Sequence, residues 1–206
     1  MKRLFCFLAV LSWGIAAMAQ TPLEIVARME EAMSQHEKDG LAMTVDTKIP
    51  IIGAVSVKTA SLGDKIRVET SMKGVKVIEW EDGKTEWTYN SKNNTVEIKN
   101  APASASGGNE DTELFTGIAD GYDVTIQKET AEEWHLLCAK SKTNTDKDAP
   151  RSLNLVVAKG TYLPVSLSTK ISGVSMSMHD IAFGVSESQV VFDAGKFPDA
   201  TLVDKR

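Results

Sequence analysis

From Leu41 onward the apolar residues of this chain recur at every second position, and that pattern limits the possible folds more than any other feature. Met43, Val45 and Thr47 alternate with Thr44, Asp46 and Lys48, and Ile66, Val68 and Thr70 alternate with Lys65, Arg67 and Glu69. The same period returns at Tyr122, Val124 and Ile126, at Trp134, Leu136 and Cys138, and at Leu153, Leu155 and Val157. Val165 and Leu167, then Val174, Met176 and Met178, then Ile181 and Phe183 complete the series. The expectation is about ten strands in antiparallel meander order, most with one apolar and one polar face.

Only one long segment breaks this period. "TPLEIVARMEEAMSQHEKDG" predicts a helix: Thr21 caps, Pro22 takes the first helical position, Glu24 completes a capping box and Gly40 supplies the stop. Ile25, Val26, Met29 and Met33 form its apolar stripe. A second, shorter helix is expected in "TELFTGIADGY", with Leu114, Phe115 and Ile118 facing inward. Polar loops are expected at residues 100–111 and 141–150.

Widths decide the layer arrangement. Ten strands spaced about 4.8 Å apart make a sheet roughly 48 Å across, whereas a helix with its side chains covers only about 10 to 12 Å. One long helix and one short one leave most of that face wet, so the sheet must curl on itself. A curled sheet of this size encloses either a well-filled core or room for a guest.

The first residues read as an export signal. Lys2 and Arg3 precede an apolar run from Leu4 to about Ala17, and Ala17-Met18-Ala19 is a small-x-small exit, which places cleavage after Ala19 and a single domain over 20–206. No later segment approaches the ~20 apolar residues of a membrane span. Cleavage removes Lys2 and Arg3, leaving 21 basic against 28 acidic residues and a formal charge of −7. That balance argues against nucleic acid or an anionic membrane surface as partner. Cys138 remains alone after cleavage, so no internal disulfide forms; its apolar neighbours predict an inert core thiol.

The sequence carries no motif for catalysis or cofactor binding. His36, His135 and His179 are scattered without carboxylates at ligand spacing, so no metal site is expected. His179-Asp180 stands near serines, yet no nucleophile elbow accompanies it. No phosphate loop, dinucleotide fingerprint or calcium loop is present, so neither a cofactor nor an enzyme is expected.

The stretch "EWEDGKTEWTYNSKNNTVEI" carries the aromatic residues of the middle of the chain. If Asp82-Gly83 forms a two-residue turn, Trp80 lies opposite Thr85 and Ile78 opposite Trp87, on one face with Tyr89. Glu79 and Glu86 then face each other on the wet side. The rings point either at the protein's own core or at a guest. Methionines at Met29, Met33, Met43, Met176 and Met178 fall on the same inward set, and such side chains repack around varied shapes.

At this point the chain resembles the LolA-like family of periplasmic lipoprotein carriers. The resemblance rests on the N-terminal helix, the strand "DKIRVE", the hairpin "WEDGKTEWTYNS", the segment "TELFTGIADGYDVTI", the strand "EEWHLLCAKSK" and the tail "FDAGKFPDATLVD". It implies a mainly β fold with an α lid: a curved antiparallel half-barrel of about 10–11 strands covered by the N-terminal helix and a short loop helix. It further implies a periplasmic monomer whose apolar cavity takes lipoprotein acyl chains from an inner-membrane ABC transporter and passes them to an outer-membrane acceptor. The alternative within the resemblance is a lipid or lipoprotein sensor of envelope stress, which usually brings an additional domain. The cavity wall is expected from Met29, Met33, Met43, Val45, Ile66, Val68, Ile78, Trp80, Trp87, Tyr89, Leu114, Phe115, Val124, Trp134, Leu136, Leu155, Met176 and Met178. The chain departs from the family where an Arg-Pro pair helps hold the lid closed: Leu62-Gly63 stands there, and Ile66 replaces a cavity phenylalanine.

Overall fold

A computed structural model of the chain describes residues 20–102 and 115–206. The proposed signal segment and Leu114 lie outside the described residues.

Helix α1 spans Pro22–Gln35 and begins as its sequence requires. The Thr21 side chain accepts from the Glu24 backbone N–H, and the Glu24 carboxylate accepts from the Thr21 N–H, closing the capping box. The helix ends in a 3₁₀ turn at Glu37–Asp39 before Gly40. Gly40 has φ +75, and a Cβ there would stand 2.5 Å from the Ser61 carbonyl oxygen, so only glycine lets the chain enter the sheet at this point.

Twelve strands follow: β1 Leu41–Ile49, β2 Gly53–Leu62, β3 Lys65–Met72, β4 Val75–Glu81, β5 Thr85–Asn90, β6 Thr95–Asn100, β7 Tyr122–Glu129, β8 Glu133–Lys140, β9 Ser152–Ala158, β10 Pro164–Ile171, β11 Val174–Phe183 and β12 Thr201–Asp204. They form one open sheet in the order β12-β6-β5-β4-β3-β2-β1-β11-β10-β9-β8-β7, with β7 and β12 as unjoined edges. Two meanders, β1–β6 and β7–β11, meet where β1 pairs with β11. The count exceeds the expected ten or eleven, and β12 runs parallel to β6, so the order is not a pure antiparallel meander. The apparent break between Met178 and Ile181 is a β-bulge inside one strand: Thr44 pairs with His179 and Ala42 with Ala182, and Asp180 sits at φ +53.

Among the described residues two short α-helices join them, α2 at Ile118–Gly121 and α3 at Glu187–Val190. Helices α1 and α2 lie on one face of the sheet. Their side chains join those of β1 and β7–β11 in the main buried cluster, where Ile25, Val26, Met29, Phe115 and Leu155 are wholly excluded from solvent. Beyond Phe183 the chain crosses the reverse face, from the middle of the sheet to its edge at β6. Val185 and Val190 pack there on Ala60, with Ala42 and Leu62 alongside. The alanines leave room for this crossing.

Candidate functional site

Directly paired residues of neighbouring strands share a face, so the registers assign each side chain to one side of the sheet. On the α1 face the rows run Met43–Thr59–Val68–Glu79 and Val45–Val57–Thr70–Val77. On the reverse face they run Ala42–Ala60–Arg67–Trp80–Trp87–Ile98 and Thr44–Lys58–Glu69–Ile78–Tyr89–Val96.

The expected wall therefore divides into three groups. Met29, Met33, Met43, Phe115, Trp134, Leu136, Leu155 and Met178 are buried together under α1, with Val45, Val124 and Met176 packed against them. Helix and sheet side chains meet directly in this region. Ile66 and Val68 lie on the same face but farther along it. Ile78, Trp80, Trp87 and Tyr89 lie on the opposite face, so the expectation of one shared wall is corrected by the strand register.

The hairpin expectation is corrected too. Its turn is Gly83-Lys84, with Gly83 at φ +77 and the Asp82 carboxylate accepting from the N–H groups of Lys84 and Thr85. Trp80 consequently pairs with Trp87, Ile78 with Tyr89 and Glu81 with Glu86. The slip is two residues, so the rings stay on one face as expected.

Those rings face the protein's own C-terminal segment. Phe192 lies 5.3 Å from Trp80 and 5.6 Å from Trp87, and Phe197 lies 5.5 Å from Trp80 and 4.6 Å from Tyr89. Arg67 stands over the Trp80 ring at 5.8 Å and pairs with Glu69. A depression of about 400 Å³ between this segment and the sheet includes Lys58, Arg67, Asp193 and Lys196. Another, of about 610 Å³, is hydroxyl-rich, with Ser56, Ser168, Ser177 and Asn154 in its lining. Ile78, Trp80 and Phe197 also line the first, and Val55 and Met176 the second.

On the α1 face Val55, Val57, Ile66, Val68, Val75 and Val77 form an apolar strip over β2–β4; all six are half-buried, and none belongs to either buried cluster of described residues. The strip adjoins Val45 through its pairing with Val57. Glu79, Glu81 and Glu86 border it. Burial raises the pKa of Glu81 above its ordinary value, helped by the charges of Glu86 and Asp82. Val55, Val57, Val75 and Val77 were missed from the sequence, although "GAVSV" and "VKVIE" alternate in phase with Val45.

No metal-binding cluster of three or more His, Cys, Asp or Glu residues occurs among the described residues. His179 instead lies between two carboxylates, with Nε2 3.0 Å from Asp46 Oδ2 and Nδ1 3.0 Å from Asp180 Oδ2.

No protein-family model matches the chain, and no curated protein does. Among solved structures, LprF from Mycobacterium bovis matches with a TM-score of 0.53 at 9% identity, over 80% of this chain and 93% of that one. The fold is similar to that of LprF. A chain of the Pseudomonas aeruginosa MucA/MucB complex aligns at 14% identity with a TM-score of 0.46, over 84% of this chain but only 61% of that one. A LolA superfamily protein from Nitrosomonas europaea aligns at 10% identity with a TM-score of 0.31, over 86% of this chain and all of that one.

Proposed function

We propose that this protein is a non-enzymatic periplasmic carrier that holds lipoprotein acyl chains against the apolar strip of the α1 face. In this reading it receives them from an inner-membrane ABC transporter and passes them to an outer-membrane acceptor. The observation that carries the proposal is the strip itself: six aliphatic side chains on three adjacent strands, half-buried and outside both core clusters. An acyl chain laid there gains about 0.8 kcal/mol per methylene removed from water. The strip touches the methionine-bearing core at Val45, and Met43 and Met176 can adjust to chains of different length. Glu79, Glu81 and Glu86 at the margin limit how far an apolar guest can spread.

The test is displacement of a fluorescent fatty-acyl probe, with Ile66→Glu and Val68→Glu as variants. Each is expected to weaken probe binding by roughly tenfold or more while leaving the circular dichroism spectrum unchanged, because a carboxylate on the strip must be desolvated by the guest. Wild-type affinity in both folded variants would remove the strip as the site. Mass spectrometry of protein recovered from the envelope separates the roles: bound lipoprotein supports the carrier, and free lipid alone supports a sensor.

A further inference from the structure

The hairpin tips at one end of the sheet carry a feature that the acyl-binding reading does not use. The β1–β2 connection is Pro50-Ile51-Ile52, closed by Ile49 pairing with Gly53. The Ile52 N–H donates to the Pro50 carbonyl at 2.9 Å, making a γ-turn with Ile51 at its centre and φ +75. This conformation is rare and strained, and a β-branched residue is the least suited to it. Ile51 is also fully exposed and Ile52 is 49% exposed. A glycine or asparagine would make the same turn without strain and without presenting apolar surface to water.

The neighbouring tips repeat the exposure. Met72 at the β3–β4 turn and Ile171 at the β10–β11 turn are both exposed, so four of the eight large apolar side chains exposed among the described residues lie at this one end. Lys48, Pro50, Ile51, Lys170 and Gly173 line one depression, which puts the β1–β2 and β10–β11 tips side by side. An adjoining depression joins Lys170 and Ile171 to Lys147 and Arg151. Lys48, Lys73, Lys147, Arg151 and Lys170 form no ion pair among the described residues. The acids nearby are Asp146 and Asp148, whose backbone N–H donates to the Asp146 carboxylate, and Asp46, which is engaged by His179. In a chain of net charge −5 this end is therefore locally basic.

We infer that this end of the sheet docks on an anionic lipid bilayer, with Ile51 and Ile52 entering the headgroup–acyl boundary and Lys48, Lys73 and Lys170 meeting lipid phosphates. Charge complementarity and shape select the bilayer over a protein: a convex two-residue tip needs a fitted socket on a protein, whereas lipid yields around it. Apolar insertion combined with basic flanks is the pairing that gives reversible membrane attachment. The whole-chain charge, which argues against an anionic surface, averages over a basic end and an acidic remainder. The inference does not depend on what the apolar strip holds.

Sedimentation with vesicles of phosphatidylethanolamine containing one quarter phosphatidylglycerol tests it, using the protein from Gln20 onward. Wild type is expected to cosediment, and the double variant Ile51→Gly with Ile52→Ser to bind roughly tenfold or more weakly. The same variant should melt at an equal or higher temperature, since glycine relieves the γ-turn; lower affinity without lower stability is the signature of a tip kept for contact. Lys48→Gln with Lys170→Gln should reduce the salt-sensitive part of binding, leaving that of Lys73. Absence of wild-type binding, or unchanged binding by the isoleucine variant, overturns the inference. Either result leaves probe binding by the strip, measured without vesicles, unaffected.

Discussion

Trp87 stacks on Phe192 with centroids 5.6 Å apart and ring planes 16° from parallel, joining the β4–β5 hairpin to a segment more than a hundred residues away in sequence. Phe192 in turn stacks on Phe197 at 6.0 Å, and both meet the edge of Trp80. The C-terminal segment thus covers the aromatic part of the reverse face with the chain's own rings.

Truncating a ring should loosen this seal. Phe192→Ala is expected to destabilise the protein by about 1 to 3 kcal/mol, less than a fully enclosed phenylalanine because this one is only half-buried. Urea unfolding measures the loss, and intrinsic fluorescence should shift to the red as Trp80 and Trp87 gain water. Unchanged emission would mean the rings are not packed as described.

The carboxylates around His179 predict a pH dependence. The hydrogen bond that the imidazole donates to the Asp46 carboxylate raises the His179 pKa above its ordinary value, and the charge of Asp180 adds to the effect. A raised folded-state pKa stabilises fully below the ordinary histidine value of about 6.5, and the contribution is lost as pH rises through the folded value. Asp46 is lowered, first by the Ser56 hydroxyl and then by His179, so its own contribution is present above the ordinary aspartate value and lost in acid. The melting-temperature gap between wild type and His179→Gln should therefore be widest near about pH 5.5 and close above about pH 8. A gap independent of pH would contradict the pairing.

Cys138 should be silent in the folded state. It is wholly buried, and burial pushes its thiol pKa up to about 11, so almost no thiolate exists at neutral pH. A thiol reagent should label it only at the rate of unfolding, rising with denaturant. Rapid labelling in native buffer would show an opening of the core between β7 and β9.

Much of the fold was legible locally. The α1 cap and stripe, the strand alternation and the burial of Cys138 depend on residues a few positions apart, and each appears where expected. The division of the expected wall was not legible. Ile66 and Trp80 both sit in clean alternation, but alternation says only that a strand has two faces. Whether they share a face depends on the β3–β4 register, which pairs Ile66 with Glu81 and Arg67 with Trp80. The partners of the rings were equally hidden: the tail that contains Phe192 and Phe197 resembles a family ending, and nothing in its spacing reveals that it crosses the sheet.

The sequence by itself determined where the helix begins, most of the strand segments and which side chains in them alternate, because steric preference, capping and apolar periodicity act over a few residues; β2 and β12 were not legible as strands. Only the tertiary structure decided which strand faces lie together, that the aromatic hairpin is covered by the chain's own phenylalanines, and that the valines of β2–β4 stay half-exposed. The physical reason is that pairing register and long-range burial are set by contacts between segments far apart along the chain. A shift of one residue in any of them would have turned a whole face over.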